Sequence, residues 1–268
     1  MGGGANIMRR DDTATGRFYE IDGRRYPSVT TILSAISKPA LVPWAANAER
    51  AAVSEAAADL YAQWAQQTTR TPLPRSWFHT TLLSALGPLR AHQKQLVVAG
   101  DLGSETHRLI EWAIRMRLGA AAGPEPVVSA AARHGFEVFD RWAASVQLKP
   151  ILVERCVYST AHGYAGTLDL LARVNGQLTV IDMKTSRAIY GEALVQVAAY
   201  RQAMIEMGYA AVDALIVRIP KTVGDPAFEV RAVPEVETLF PVFLAAKAVW
   251  TWQQAQQAPA RKGPRRVA

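Results

Sequence analysis

Three side chains carried on two short apolar runs have the types and spacing to do metal or acid–base chemistry. Residues 166–173, GTLDLLAR, carry Asp169, and residues 178–184, LTVIDMK, carry Asp182 and Lys184. Val174, Asn175, Gly176 and Gln177 lie between the runs. Asn-Gly is a strong hairpin signal, because a type I′ turn needs positive φ at both central residues. With Asn175 and Gly176 in those places, Val174 faces Gln177, and stepping outward along both strands sets Asp169 directly opposite Asp182. Lys184 shares the Asp182 face, since side chains alternate with period two along a strand.

Directly opposed residues hold their Cβ atoms roughly 4.5–5.5 Å apart, where like charges repel. Leu168, Leu170, Ile181 and Met183 are expected on one face of this hairpin, and Leu171, Val180 and Leu178 on the other. Strands apolar on both faces are covered on both sides. Two carboxylates withdrawn from water must share a proton or hold a cation. Lys184 neutralises one of them, and a hard divalent ion such as Mg²⁺ suits the oxygen donors of both. The plain alternative is a surface hairpin with an exposed Asp–Lys pair of small energetic value. The apolar neighbours argue against it.

The rest of the chain must build a frame for that hairpin. At 268 residues, half apolar and a fifth charged, it has the composition of a soluble globular protein. Its single cysteine, Cys156, excludes an intramolecular disulfide framework and any cluster held by four cysteines of this chain. Cys156 is expected to pack in a strand, in a reducing compartment. No secretory segment or membrane span is evident, so the expected location is the cytoplasm, with no membrane partner. The formal charge is +7, of which four basic groups, Arg261, Lys262, Arg265 and Arg266, sit in the last eight residues. Such a balance is compatible with nucleic acid and does not demand it.

Residues 1–15 read as unstructured, followed by a small hairpin turning at Asp22-Gly23. Ser28 caps a short helix through Ile36. Helices follow over 45–65, 77–86 and 88–98, with a loop over 68–76. A separate helix runs through 100–118, and another from Ser129 to about Val146. Then come a strand over 151–158, the hairpin, a helix from about 189 or 191 to 207, a strand over 212–219, an edge strand over 228–233 and a last helix to about 256. The order implies a mixed α/β (α+β) fold, a central mixed sheet flanked by helices. The divisions are a flexible N-terminus with a small hairpin (1–25), a helical N-terminal part (26–99), a core (100–256) and a basic disordered tail (257–268).

The elements Gly166-Thr167-Leu168-Asp169 and Ile181-Asp182-Met183-Lys184-Thr185 resemble the core of the PD-(D/E)xK nuclease superfamily. Gln196-Val197-Ala198-Ala199-Tyr200 is similar to the Gln-x-x-x-Tyr element of its RecB-like branch. His107 on a helix and Glu154 on the preceding strand stand where that branch has a metal-linked histidine and an additional acid. Tyr26-Pro27-Ser28-Val29-Thr30-Thr31-Ile32-Leu33 with Trp44-Ala45 resembles the opening of phage exonucleases of the branch.

This resemblance implies a restriction-endonuclease-like core and a Mg²⁺-dependent deoxyribonuclease, with Mn²⁺ as the alternative ion and without the four-cysteine iron–sulfur cluster of some relatives. It implies Asp169, Asp182, His107 and the backbone carbonyl of Met183 as metal ligands. Asp169, Asp182, Lys184, Glu154, Gln196 and Tyr200 become the catalytic set. In that set Lys184 holds and polarises the attacking water or offsets phosphate charge, and Gln196 and Tyr200, one helical turn apart, orient the lysine or the substrate. Glu154 either contacts a metal through water or pairs with a basic residue. The implied activity is an exonuclease on DNA in phage or bacterial recombination, repair or replication. Its partners would be a recombinase, a single-strand annealing protein or a helicase, since the chain has no P-loop of its own. The alternatives are a structure-specific endonuclease, a nuclease subunit of a larger complex, and a non-catalytic nucleic-acid-binding protein that kept the fold. Trp44, Trp64 and Trp77 either stack on bases or pack in the core.

Overall fold

In the computed structural model, residues 8–36, 41–66, 72, 74–209, 213–221 and 224–257 are described. The expected basic tail lies outside them, as do residues 1–7 and most of the loop expected over 68–76. The chain divides into two units, Met1–Ile36 with Glu105–Ala268, and Ser37–Ser104. The boundary expected at 99/100 falls inside a helix, α4, Ala91–Arg117. Two helices were expected here. They are one, because Gly100 and Gly103 are tolerated in a helix interior at a cost of only about 1 kcal/mol each relative to alanine.

The larger unit begins with a meander of β1 (Met8–Thr13), β2 (Gly16–Ile21) and β3 (Arg24–Pro27). Strand β1 corrects the expectation of an unstructured start. It has no apolar alternation to betray it and pairs with β2 along its whole length; exposed ion pairs lie beside it, Asp12 with Arg10 and Arg17, each at 2.7 Å, and Asp11 with Arg25 at 3.2 Å. Helix α1 (Val29–Leu33) follows, capped as expected by Ser28, whose Oγ accepts the Thr31 N–H.

Five strands form the central sheet in the order β4 (Lys149–Ser159), β5 (Tyr164–Val174), β6 (Gln177–Lys184), β7 (Asp213–Arg218) and β8 (Glu229–Ala232). Only β6 and β7 pair in parallel, across the helix α6 (Gly191–Glu206), so the sheet is mixed as expected. It separates two apolar cores. Val29 and Ile32 of α1, Val197 and Tyr200 of α6, and Phe243 of α7 (Val236–Gln257) pack on one face with Val157, Leu168, Leu171, Val180 and Ile216. Ile110 and Ile114 of α4, with Phe139 and Ala143 of α5 (Ala130–Ser145), pack on the other with Leu170, Ala172, Ile181, Met183 and Val217. Both faces of the hairpin are therefore buried, as its composition requires.

The smaller unit is helical: α2 (Leu41–Ala65), α3 (Arg75–Leu86) and the first part of α4. Its ordering contacts include the His92 ring, which meets Glu49 Oε1 at 2.7 Å and stands edge-on to Trp44. Trp64 lies against Tyr61, while Trp77 is exposed.

Candidate metal and phosphoryl site

The Asn-Gly turn forms as the sequence demands, with φ +50° at Asn175 and +88° at Gly176. From there β5 and β6 pair regularly from Val174↔Gln177 to Leu170↔Ile181. The ladder ends one pair short of Asp169 and Asp182, and the expected direct opposition of these two is corrected. Asp169 Oδ2 instead accepts the backbone N–H of Met183 at 2.7 Å, so a side chain occupies the place of a ladder bond. The side-chain phase changes at the same point. Leu168 packs in the core under α6 and Leu170 in the core under α4 and α5, although period two would put both on one face.

The neighbouring ladder is disturbed at the same level. β4 and β5 shift register between Pro150 and Leu152, then pair Val153↔Leu170 and Arg155↔Leu168. Glu154 and Asp169 lie between those pairs. Glu154 has φ +46°, a left-handed conformation that costs a non-glycine residue about 1–2 kcal/mol. Backbone strain of this kind concentrates at functional sites. Here it accompanies a meeting of Glu154 and Asp169 across β4 and β5, while Asp169 still acts electrostatically on Asp182 across β5 and β6.

His107 reaches the same point from α4. One ligand atom from each of His107, Glu154 and Asp169 lies within 4.8 Å of the others, and all three residues are half-buried. Burial pushes the Glu154 carboxyl up to about 8, aided by the negative charges of Asp169 and Glu111 and opposed by Arg10 and Arg115. The donor set suits a divalent cation: two carboxylates and one imidazole, the latter shifting preference toward Mn²⁺ relative to an all-oxygen site.

Asp182 is fully buried, and Lys184 Nζ stands 2.7 Å from its Oδ2. Neither Asp182 oxygen has an aligned hydrogen-bond donor among the described residues. Burial raises the Asp182 carboxyl above the ordinary range; Lys184 opposes that rise and Asp169 adds to it. Burial pulls the Lys184 ammonium down, but Asp182 and Asp169 outweigh it and hold the group above its usual value. Lys184 Nζ also donates to Gln196 Oε1 at 3.1 Å, and Gln196 Nε2 donates to the Tyr200 hydroxyl at 3.1 Å. Tyr200 fits only because residue 166 is glycine: a Cβ there would stand 2.6 Å from the Tyr200 ring.

Sequence reasoning thus picked out residues that converge, with Glu154 closer to the centre than expected and Asp182 paired to Lys184 outside the His107 cluster. Met183 contributes its N–H to Asp169, while its side chain packs in the core. Cys156 is half-buried in β4, and burial pushes its thiol up to about 11. Tyr19 escaped notice. Its hydroxyl meets Thr167 Oγ1 at 2.7 Å, two residues before Asp169, and a contact between positions so distant in sequence leaves no local signal.

No protein-family model matches the chain, and no curated protein does. Among solved structures, a provisionally named exonuclease from Eubacterium rectale aligns over 72% of this chain and 83% of its own, at 8% identity and TM-score 0.36. The structure of SSO0001 aligns over 59% of this chain and 77% of its own, at 13% identity and TM-score 0.27. Superpositions this loose carry no argument. Among the described residues, no helix is long and apolar enough to cross a membrane.

Proposed function

We propose that the protein is a metal-dependent nuclease that hydrolyses phosphodiester bonds, acting on DNA as an exonuclease. One observation carries this reading: the convergence of His107, Glu154 and Asp169 on one point, joined through the Met183 amide to the strand that bears Asp182 and Lys184. His107, Glu154 and Asp169 would hold Mg²⁺ or Mn²⁺, with Asp182 and the Met183 carbonyl as the further oxygens. The ion, when bound, supplies Lewis-acid charge neutralisation at a phosphoryl group. Lys184 presents a half-buried ammonium for the phosphate or the attacking water, and Gln196 fixes its direction. Tyr200 in turn fixes Gln196, filling the space left by Gly166. On this reading the setting would be DNA recombination, repair or replication, with a recombinase, annealing protein or helicase as partner.

The decisive experiment incubates the purified chain with end-labelled linear DNA and with closed circular DNA, in Mg²⁺ or Mn²⁺, beside Lys184→Ala. Stepwise loss of nucleotides from linear DNA only, absent in the variant, is expected. Cleavage of the circle would make it an endonuclease, and binding without any metal-dependent cleavage would make it a binding protein.

A further inference from the structure

A cavity of about 280 Å³ lies against α4, walled by Arg108, Glu111, Trp112 and Arg115 and by Pro124 and Pro126 of the following loop. The hydrolytic chemistry described above does not use it. The four helical residues recur at the spacing of one helix face, and Glu111 stands one turn beyond His107, so the face leads from the metal cluster to the cavity. Glu111 and Arg115 both act electrostatically on Glu154, which places the cavity within reach of the cluster.

Its chemistry is specific. Arg115 pairs with Glu111 at 2.7 Å, whereas Arg108 is exposed and has no ion pair among the described residues. Two guanidiniums and one carboxylate line the cavity, and the Glu105 carboxylate acts on Arg108 from one turn earlier on the helix. Trp112 donates its indole N–H to the Gly123 carbonyl at 3.1 Å, which ties the ring to the loop before any ligand arrives. An anchored aromatic ring loses little freedom on binding. A fixed indole, apolar proline walls and an exposed guanidinium together fit a base joined to a phosphate, and the size is near the lower end of ligand pockets, roughly 300 Å³.

We propose that this cavity receives a nucleotide neighbouring the scissile phosphate of a polynucleotide, its base on Trp112 and its phosphate on Arg108. The inference rests on the nuclease reading and names a subsite for its substrate.

The test uses the full chain with single-stranded oligonucleotides carrying one iodouracil at successive positions. Ca²⁺ replaces Mg²⁺ to slow cleavage, the complex is irradiated, and the cross-linked residue is identified by mass spectrometry. A cross-link at Trp112 from one register is expected. Trp112→Ala should weaken oligonucleotide binding about tenfold, and Trp112→Phe, which keeps a ring and the packing, should stay close to wild type. Arg108→Gln should lower the salt slope of binding by about one unit. Cross-links only elsewhere, or affinities unchanged in Trp112→Ala and Arg108→Gln, overturn the subsite even if the wild type cleaves DNA. A Trp112 cross-link in a protein that cleaves nothing keeps nucleotide binding in this cavity but removes the nuclease reading and, with it, the place beside a scissile phosphate. A free mononucleotide that competes as well as the oligonucleotide does overturns the polynucleotide assignment.

Discussion

The two ends of the β5–β6 hairpin are built from the same two strands and behave differently. At the turn end, from Val174↔Gln177 to Leu170↔Ile181, the ladder is regular and its apolar side chains alternate between the two cores. At the open end the ladder stops, Asp169 bonds to the Met183 amide, and Glu154 opposite it takes a left-handed backbone. The first end is governed by burial, which favours uniform pairing. At the second, charged groups withdrawn from water interrupt that pairing, and the fold accepts local strain to hold them.

Under the proposed function this contrast places activity at the open end and stability at the turn end, and substitutions can break it. The largest effect is expected for Lys184→Ala: a loss of cleavage on the order of a hundredfold to a thousandfold, with circular dichroism unchanged. Cleavage within tenfold of wild type would remove Lys184 from the chemistry. Next, saturating Mn²⁺ at about a hundred times its Kd should stabilise the wild type by about 2.7 kcal/mol. Asp169→Asn should abolish most of that gain in a thermal melt, and an undiminished gain would place the ion elsewhere.

Gly166→Ala sharpens the comparison, because it acts through packing at the open end. Its new methyl meets the Tyr200 ring, so a loss of about 1–3 kcal/mol is expected, together with lower turnover as Gln196 and Lys184 shift. A variant as stable as wild type would show that Tyr200 has room to move.

The pH dependence of the metal-free protein gives a smaller effect of known sign. Glu154 titrates at about 8 in the folded chain against an ordinary 4.5. The folded state therefore binds the proton more tightly, and stability is lost as pH rises from about 4.5 to about 8. Glu154→Gln should flatten that slope in denaturant melts across the window, and an unaltered slope would assign it to another group. The smallest effect is at the turn: Gly176→Ala, at φ +88°, should cost about 1 kcal/mol and leave cleavage per folded molecule unchanged.

Much of the frame was legible because it depends on local rules. Asn175-Gly176 fixed the turn and its register, Ser28 and Ser129 marked helix starts, and apolar runs marked the buried strands. Strand β1 was hidden because its support is the backbone ladder it forms with β2 rather than an apolar pattern of its own. The continuity of α4 was hidden because two glycines weaken a helix without ending it.

The candidate site divides in the same way. The sequence by itself determined which polar side chains lie side by side, since spacing along one strand or one helix put Asp182 near Lys184 and Gln196 near Tyr200. Only the tertiary structure decided which carboxylates meet. Whether Asp169 faces Asp182 or Glu154 depends on where two ladders stop pairing, and that is set by the burial of charge among three strands and a helix that approach only in the folded chain.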